Sequence, residues 1–346
     1  MPRHPFLGIL AALRRERLST AVRLIEEACF SAEVSTATLF VKQGNQEFAR
    51  GFGRALGADY VFLLASITKP MTATGVMILR DRGELSLNDP VRKYIPEFSG
   101  GDRDLVTIKH ILTHTSGLGD MPPENEQLRK RHAPLSDFVA ATCRMPLLFK
   151  PGTQVKYQSM GILLAAEIAE RITKQPFRDF LRKELFTPLG MHHTSLGLGG
   201  RQIPDLAICQ VDRETNWDWN SPYWRDFGAP WGGAHSSGPE VARFLDFFQR
   251  PDPPVIKPQT AAEMIVDQNM GLNEPRGIGF MVKPGAFGKA CSPKTYGHSG
   301  STGTICWADP VSNTICVLLT TKPAAQSRAK LLIPVCDAVS EAALPA

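Results

Sequence analysis

Strand-forming runs stand at the two ends of this 346-residue chain, and helical patterns fill the stretch between them. Near the start, a Thr-, Leu-, Phe- and Val-rich run over 35–41 turns at Gln43, Gly44 and Asn45 into a second strand ending near Gly51 and Gly53, which predicts a hairpin. In the last quarter, 277–282, 303–308 and 314–320 are β-branched or aromatic runs, the last two joined by a turn over 309–313. From about 85 to 248 the pattern is helix and loop, with helices predicted over 106–112, 135–143, 161–173, 177–185 and 240–248, and a terminal helix over about 324–343. Strands so far apart in sequence bury their backbone groups by pairing in one sheet. The expected fold is α+β: an antiparallel sheet built from both termini (1–65 and 265–346) and flanked by helices, with a mainly helical lobe (66–264) inserted. The cleft between the lobes is the expected site, and 1–346 is expected to form a single catalytic unit.

Composition removes several classes. With 43% hydrophobic and 21% charged residues the chain is neither disordered nor fibrous, and it holds enough apolar material for a large core. Net charge is +5, yet Lys and Arg are scattered among 34 acidic residues apart from a knot at Arg129, Lys130 and Arg131. Nucleic-acid binding needs a clustered basic face and is not expected. The seven cysteines are odd in number, widely spaced and without a C-x-x-C pair, as in a reduced cytoplasmic chain with buried thiols. His192 and His193 are adjacent; His110 and His114 lie four apart on a predicted helix but lack the glutamate of H-E-x-x-H and a third ligand. That pair reads as structural, and neither metal nor cofactor is expected. At the N-terminus the apolar run 6–13 is short for a secretory signal, and Arg14, Arg15, Glu16 and Arg17 occupy the place of a cleavage site. Phe6, Ile9, Leu10 and Leu13 instead form one stripe of an amphipathic helix. No apolar run reaches membrane-spanning length.

Three segments carry chemistry. A serine hydroxyl is a weak nucleophile that needs an adjacent base, and Ser-x-x-Lys on a helix stacks the two side chains on one face. The pattern occurs twice, as Ser66-Ile67-Thr68-Lys69 and Ser327-Arg328-Ala329-Lys330, so spacing alone decides nothing. Ser327 begins the terminal helix and reads as an N-cap on a solvated basic turn. Ser66 joins the apolar run 61–65 to a helix predicted over 67–82, with Pro70 in its first turn and Gly83 as its stop. By itself Ser66 also fits an N-cap. Tyr157, in Tyr157-Gln158-Ser159 on a loop before a helix, offers a phenol for proton transfer. The run Tyr296-Gly297-His298-Ser299-Gly300-Ser301-Thr302-Gly303-Thr304 lets backbone approach a ligand, and the Ser301 N–H with that of Ser66 could form an oxyanion hole. A Gly-rich bulge entering a hairpin explains the same run. It imitates a G-x-S-x-G nucleophile elbow but has Ser301 where Gly is required and no histidine downstream of His298. The helical middle argues against a trypsin-like pairing of His114 and Ser301.

Ser66-x-x-Lys69, Tyr157-x-Ser159 and His298-Ser299-Gly300, in that order, resemble the serine β-lactamase and penicillin-binding-protein superfamily, most of all class C β-lactamases and family VIII carboxylesterases. Ile111-Leu112-Thr113-His114-Thr115-Ser116-Gly117-Leu118, Pro188-Leu189-Gly190-Met191 and Trp231-Gly232-Gly233 look like that family too, and the likeness runs from about 20 to 335. The resemblance implies a β-lactamase/transpeptidase-like fold in which Ser66 is acylated, Lys69 and Tyr157 shuttle its proton, and the Ser66 and Ser301 N–H groups hold the oxyanion. His298, Ser299, Gly300 and Ser159 would bind substrate, and His114, Thr115 and Ser116 would form a structural loop. Two departures matter: Ser159 stands where lactamases close Tyr-x-Asn, and His298 replaces the permanent cation of Lys-Thr-Gly with a group largely neutral at pH 7. Both favour a carboxylesterase on small acyl esters with weak β-lactam hydrolysis. The alternatives are a β-lactamase, a D-alanyl-D-alanine carboxypeptidase or D-aminopeptidase-like protein, and a non-catalytic binding relative. The expected partner is a small ester or amide; oligomeric state is not legible.

Overall fold

The computed structural model describes residues 18–252 and 255–343, so the amphipathic stripe expected over 6–13 lies outside the described residues. The strands are β1 (Thr36–Gln43), β2 (Gln46–Gly53), β3 (Phe62–Leu63), β4 (Ser195–Leu196), β5 (Ala234–Ser236), β6 (Tyr296–Gly300), β7 (Thr304–Asp309) and β8 (Thr314–Thr320). The helices are α1 (Ser19–Phe30), α2 (Thr68–Asp81), α3 (Ile108–Leu112), α4 (Asn125–Lys130), α5 (Leu135–Arg144), α6 (Met160–Thr173), α7 (Phe177–Leu181), α8 (Pro222–Phe227), α9 (Gly238–Gln249), α10 (Pro258–Met264), α11 (Ala324–Ser327) and α12 (Ile333–Ala342).

The two ends of the chain meet in an antiparallel sheet ordered β2-β1-β8-β7-β6, with β1 joined to β8 so that Leu39 faces Leu318. Its inner strands are buried along nearly their whole length because both faces are covered. Successive side chains point to opposite faces. Accordingly Ile315, Val317 and Leu319 pack with Phe244 and Phe248 of α9, while Cys316 and Leu318 pack with Ile25 of α1 and Val335 and Val339 of α12. Each such aliphatic side chain contributes about 1.5–3 kcal/mol by leaving water. A second, small sheet, β3-β5-β4, lies where the chain enters the Ser66 region.

Four local expectations are corrected. The run 277–282 forms only isolated bridges, Arg276 to Met281 and Met281 to Gly297. Gly279 takes φ +78°, donates its N–H to Leu112 O, and presses so closely on α2 that a Cβ there would lie 2.5 Å from the Cβ of Ala73. The terminal helix is interrupted by a π-turn over Arg328–Leu332 just ahead of Pro334, which has no N–H for the ladder. Ser327 is buried there, its hydroxyl donating to Lys322 O and Pro323 O, so it is neither solvated nor a cap. Finally, α3 stops at Leu112 and His114 has φ +63°, so His110 and His114 share no helix face. His110 instead completes a capping box with Thr107, its Nδ1 accepting from Thr107 N at 3.2 Å.

Candidate active site

The turn that presents Ser66 is held from several sides. Leu64 N–H donates to Ala234 O in β5 (2.8 Å), and Ala65 then takes φ +48°, a conformation L residues rarely adopt. A 3₁₀ turn over Ala65–Ile67 leads into α2. Thr68 Oγ1 ties the turn down by donating to Ala65 O (2.7 Å) and accepting from Ala234 N (3.0 Å). From the large sheet, Thr302 Oγ1 donates to Leu63 O (2.8 Å) and Thr304 Oγ1 to Leu64 O (2.9 Å). Strain of this kind persists only where neighbours over-determine it, and here they do.

One helical step on, Lys69 is fully buried, and its Nζ donates to Ser66 Oγ (3.0 Å) and Trp231 O (2.9 Å). Tyr157 OH donates to Ser66 Oγ at 2.7 Å, and Lys69 Nζ sits 4.7 Å from the centre of the Tyr157 ring. A hydroxyl, an amine and a phenol 91 residues apart are thus brought to a single oxygen. The Tyr157 loop rests on the 114–116 segment: Lys156 N–H donates to His114 O, Gln158 N–H to His114 Nδ1, and Ser116 Oγ to Gln158 Oε1. The His114 ring lies 4.8 Å from that of Tyr157, so this loop acts as a shelf.

Ser66, Tyr157, Ser159 and Ser301 line one cleft of about 270 Å³, walled on its apolar side by Leu63, Met121, Trp219, Trp224 and Trp231. Ser301 is exposed there; among the described residues its N–H has no protein acceptor, while its carbonyl is anchored by Ala324 N–H at 2.9 Å. Ser159 is buried, with its N–H on Asp120 O. Gly300 is the close-approach point, since a Cβ would lie 2.3 Å from Leu64 O. Ser299 alternates to the other face of β6, where its Oγ accepts from Arg328 Nη1 at 3.2 Å. His298 is buried behind Tyr157, ring centres 6.3 Å apart, with Nδ1 2.8 Å from Ser299 O and Nε2 buried without a partner. Burial, then the charges of Lys69 and Arg276, hold His298 well below the usual imidazole range, so it is a neutral ring. Arg276, which the sequence did not single out, is buried with its guanidinium 5.6 Å from the Tyr157 ring centre. Trp219, Trp224, Met121 and Asp120 on the cleft wall were likewise not singled out, and Arg129 stood out only as part of the basic knot 129–131, with no link to the site. Among the described residues, no group of three or more His, Cys, Asp or Glu side chains could hold a metal.

His114 and His235 share the state of His298, burial being the largest cause in each, and His235 is pushed down to about 3. An unfolded imidazole titrates near 6.5, so below that pH the unfolded chain binds more protons than the folded one. Stability is therefore full above pH 6.5 and falls as pH drops, by up to about 1.4 kcal/mol per pH unit for each buried ring. Urea denaturation at pH 7.5, 6.5 and 5.5 checks this; a midpoint constant across that window would contradict it.

A serine held between an amine and a phenol, where a helical layer meets an antiparallel sheet, is the arrangement of the β-lactamase/transpeptidase-like fold. The solved structure of EstCE1, described as a hydrolase with promiscuous acyltransferase activity, superposes with a TM-score of 0.79 over 94% of this chain and 99% of its own, at 18% identity. The chain belongs to the β-lactamase family, whose model, described as Beta-lactamase, matches residues 23–335. Among curated relatives, Esterase EstB of Burkholderia gladioli is 33% identical over 195 residues, which cover 52% of this chain and 47% of EstB. Penicillin-binding protein 4 of Amycolatopsis lactamdurans is 38% identical over 149 residues, 42% of this chain and 38% of that protein. The chain thus spans about half or less of the length of these curated relatives.

Proposed function

We propose that this chain is a serine hydrolase that forms an acyl-enzyme on Ser66 and acts as a carboxylesterase on small acyl esters, with 1–346 as one catalytic unit. The observation that carries the reading is the convergence of Lys69 Nζ (3.0 Å) and Tyr157 OH (2.7 Å) on Ser66 Oγ. In this mechanism one member of the Lys69–Tyr157 pair enters the step unprotonated, as free amine or phenolate, and takes the Ser66 hydroxyl proton as Oγ attacks the ester carbonyl. The N–H groups of Ser66 and Ser301 receive the developing oxyanion. The carbon–oxygen bond to the alcohol then breaks, the alcohol leaves with that proton, and water hydrolyses the acyl-serine to release the acid and restore Ser66. Gly300 lets β6 approach closely enough for Ser301 to serve, and Ser159 meets the substrate on the cleft wall. Ser299 and the neutral His298 support this face from behind.

The lack of a fixed cation at His298, together with the short Ser159, supports esters over β-lactams, and the relation to EstB points the same way. A penicillin-binding or D-amino-acid peptidase reading uses the same serine and is separated by its substrates. The cytoplasm is the proposed location, supported by seven cysteines that are all free thiols; no described helix is long and apolar enough to cross a membrane. Intact-mass spectrometry after incubation with a fluorophosphonate should show a single adduct, which peptide mapping assigns to Ser66. An unmodified protein, or an adduct elsewhere, overturns the assignment.

A further inference from the structure

The cleft that holds Ser66 also holds a guanidinium that makes no ion pair among the described residues. Arg129, on α4, is partly buried, and its guanidinium carbon lies over the Trp224 ring, 4.1 Å from the ring centre. Its Nε is satisfied by Asn125 Oδ1 at 3.0 Å, but among the described residues neither Nη has a hydrogen-bond acceptor. Yet the residue lines the same cleft as Ser66 and Ser301. Asp120 shares the cleft wall and acts on Arg129 through space without an ion pair. Because the Asp120 residue is open to water, its charge is screened, whereas the Arg129 charge sits on an indole face and its burial is the larger influence on it. A guanidinium fixed at Nε and covered on one side by the indole presents its two Nη groups as a fork, the geometry that matches a carboxylate. Trp224, Trp231 and Met121 give the same cleft an apolar wall.

We infer that Arg129 is a specificity-determining residue that selects esters whose acyl chain ends in a carboxylate, the apolar part of the chain lying along the tryptophans. The inference rests on Ser66 being the nucleophile. The acyl carbonyl sits at Ser66, the methylene chain lies along the apolar cleft wall, and the terminal carboxylate accepts from Arg129. An acyl chain of the same length without the carboxylate gains the apolar contact but leaves the fork hydrated.

The test compares 4-nitrophenyl hexanoate with mono-4-nitrophenyl adipate, which differ by the terminal carboxylate, and reads the ratio of their kcat/KM values. The wild type should favour the adipate ester, and 0.5 M salt should narrow that preference. Arg129→Met should lower the adipate-to-hexanoate ratio by roughly 10–100-fold, the range expected for one lost hydrogen-bonded charge contact. Arg129→Lys should restore part of it. A ratio equal in the wild type and Arg129→Met, or a preference for 4-nitrophenyl 6-aminohexanoate, overturns the inference; the latter would assign the site to Asp120 and a cationic acyl group. Should Arg129→Met fold poorly, the salt dependence of the wild-type ratio decides, a flat response counting against the inference. If hexanoate hydrolysis survives Ser66→Ala, the nucleophile assignment fails instead, which keeps the two failures apart.

Discussion

Replacing Ser66 with alanine is expected to lower kcat for ester hydrolysis by about 10⁴- to 10⁶-fold while leaving the fold intact. Removing the nucleophile of a hydrolase leaves only the contribution of oxyanion donors and binding, and effects of this order follow when a catalytic set acts as a unit. The structural cost is small, because Lys69 Nζ keeps its bond to Trp231 O and Tyr157 OH faces a cleft that water can enter. Stability should change by no more than about 1 kcal/mol, as for loss of a single hydrogen-bond partner. Rates with 4-nitrophenyl butyrate and nitrocefin, with thermal unfolding as the folding control, give the answer. A folded variant retaining a tenth of wild-type esterase activity would show that another group is acylated.

The second large effect is expected from one methyl group outside the proton-transfer pair. Gly300→Ala puts a Cβ 2.3 Å from Leu64 O and from Thr304 Oγ1, and 3.1 Å from the Ala65 Cβ. Leu64 O is backbone, already held by the Thr304 hydroxyl, so it cannot yield cheaply. Either β6 withdraws from the Ser66 turn or the turn itself shifts. Both change the separation between Ser66 and the Ser301 N–H. Displacements of about 1 Å in reacting groups cost on the order of 10²-fold, and overpacking of this kind costs about 1–3 kcal/mol in stability. We therefore expect kcat/KM to fall about 10²-fold, with fluorophosphonate labelling of Ser66 slowed in parallel and denaturation still cooperative. Activity within threefold of wild type would mean that the close approach of β6 is not needed for the reaction.

The distribution of strand and helix patterns was legible in the sequence, because a strand covered on both faces reads as an apolar β-branched run and Pro and Gly punctuate the helices. The hairpin β1–β2, the β7–β8 turn and the pairing of the two chain ends all follow from it. So does the stop of α2: Gly83 takes φ +79° and its N–H bonds back to Arg80 O. What misled were runs whose neighbours in space outweighed their own preference. The 277–282 run has strand composition, but Gly279 packs on Ala73 instead of joining a ladder. The helix pattern after 324 gives way to a π-turn before Pro334.

The two Ser-x-x-Lys copies show where sequence ends and tertiary structure begins. Local spacing presents both lysines one turn beyond a serine, and the order of the Tyr157 and His298 segments along the chain favoured Ser66. Only the folded chain buries the Ser327 hydroxyl against its own helix start and gathers Lys69, Tyr157 and the Trp231 carbonyl around Ser66. The cleft wall was decided by the fold: Trp219 and Trp224 lie on segments with no motif, Arg129 lies in a basic knot that pointed to no site, and all three come to the Ser66 cleft through packing. Residue types and periodicity are local properties and can be read one segment at a time. The field around a hydroxyl, and the counter-ion an arginine lacks, depend on atoms from separate segments, such as those of Ser66 and Tyr157, 91 residues apart, and those meet only in the folded molecule.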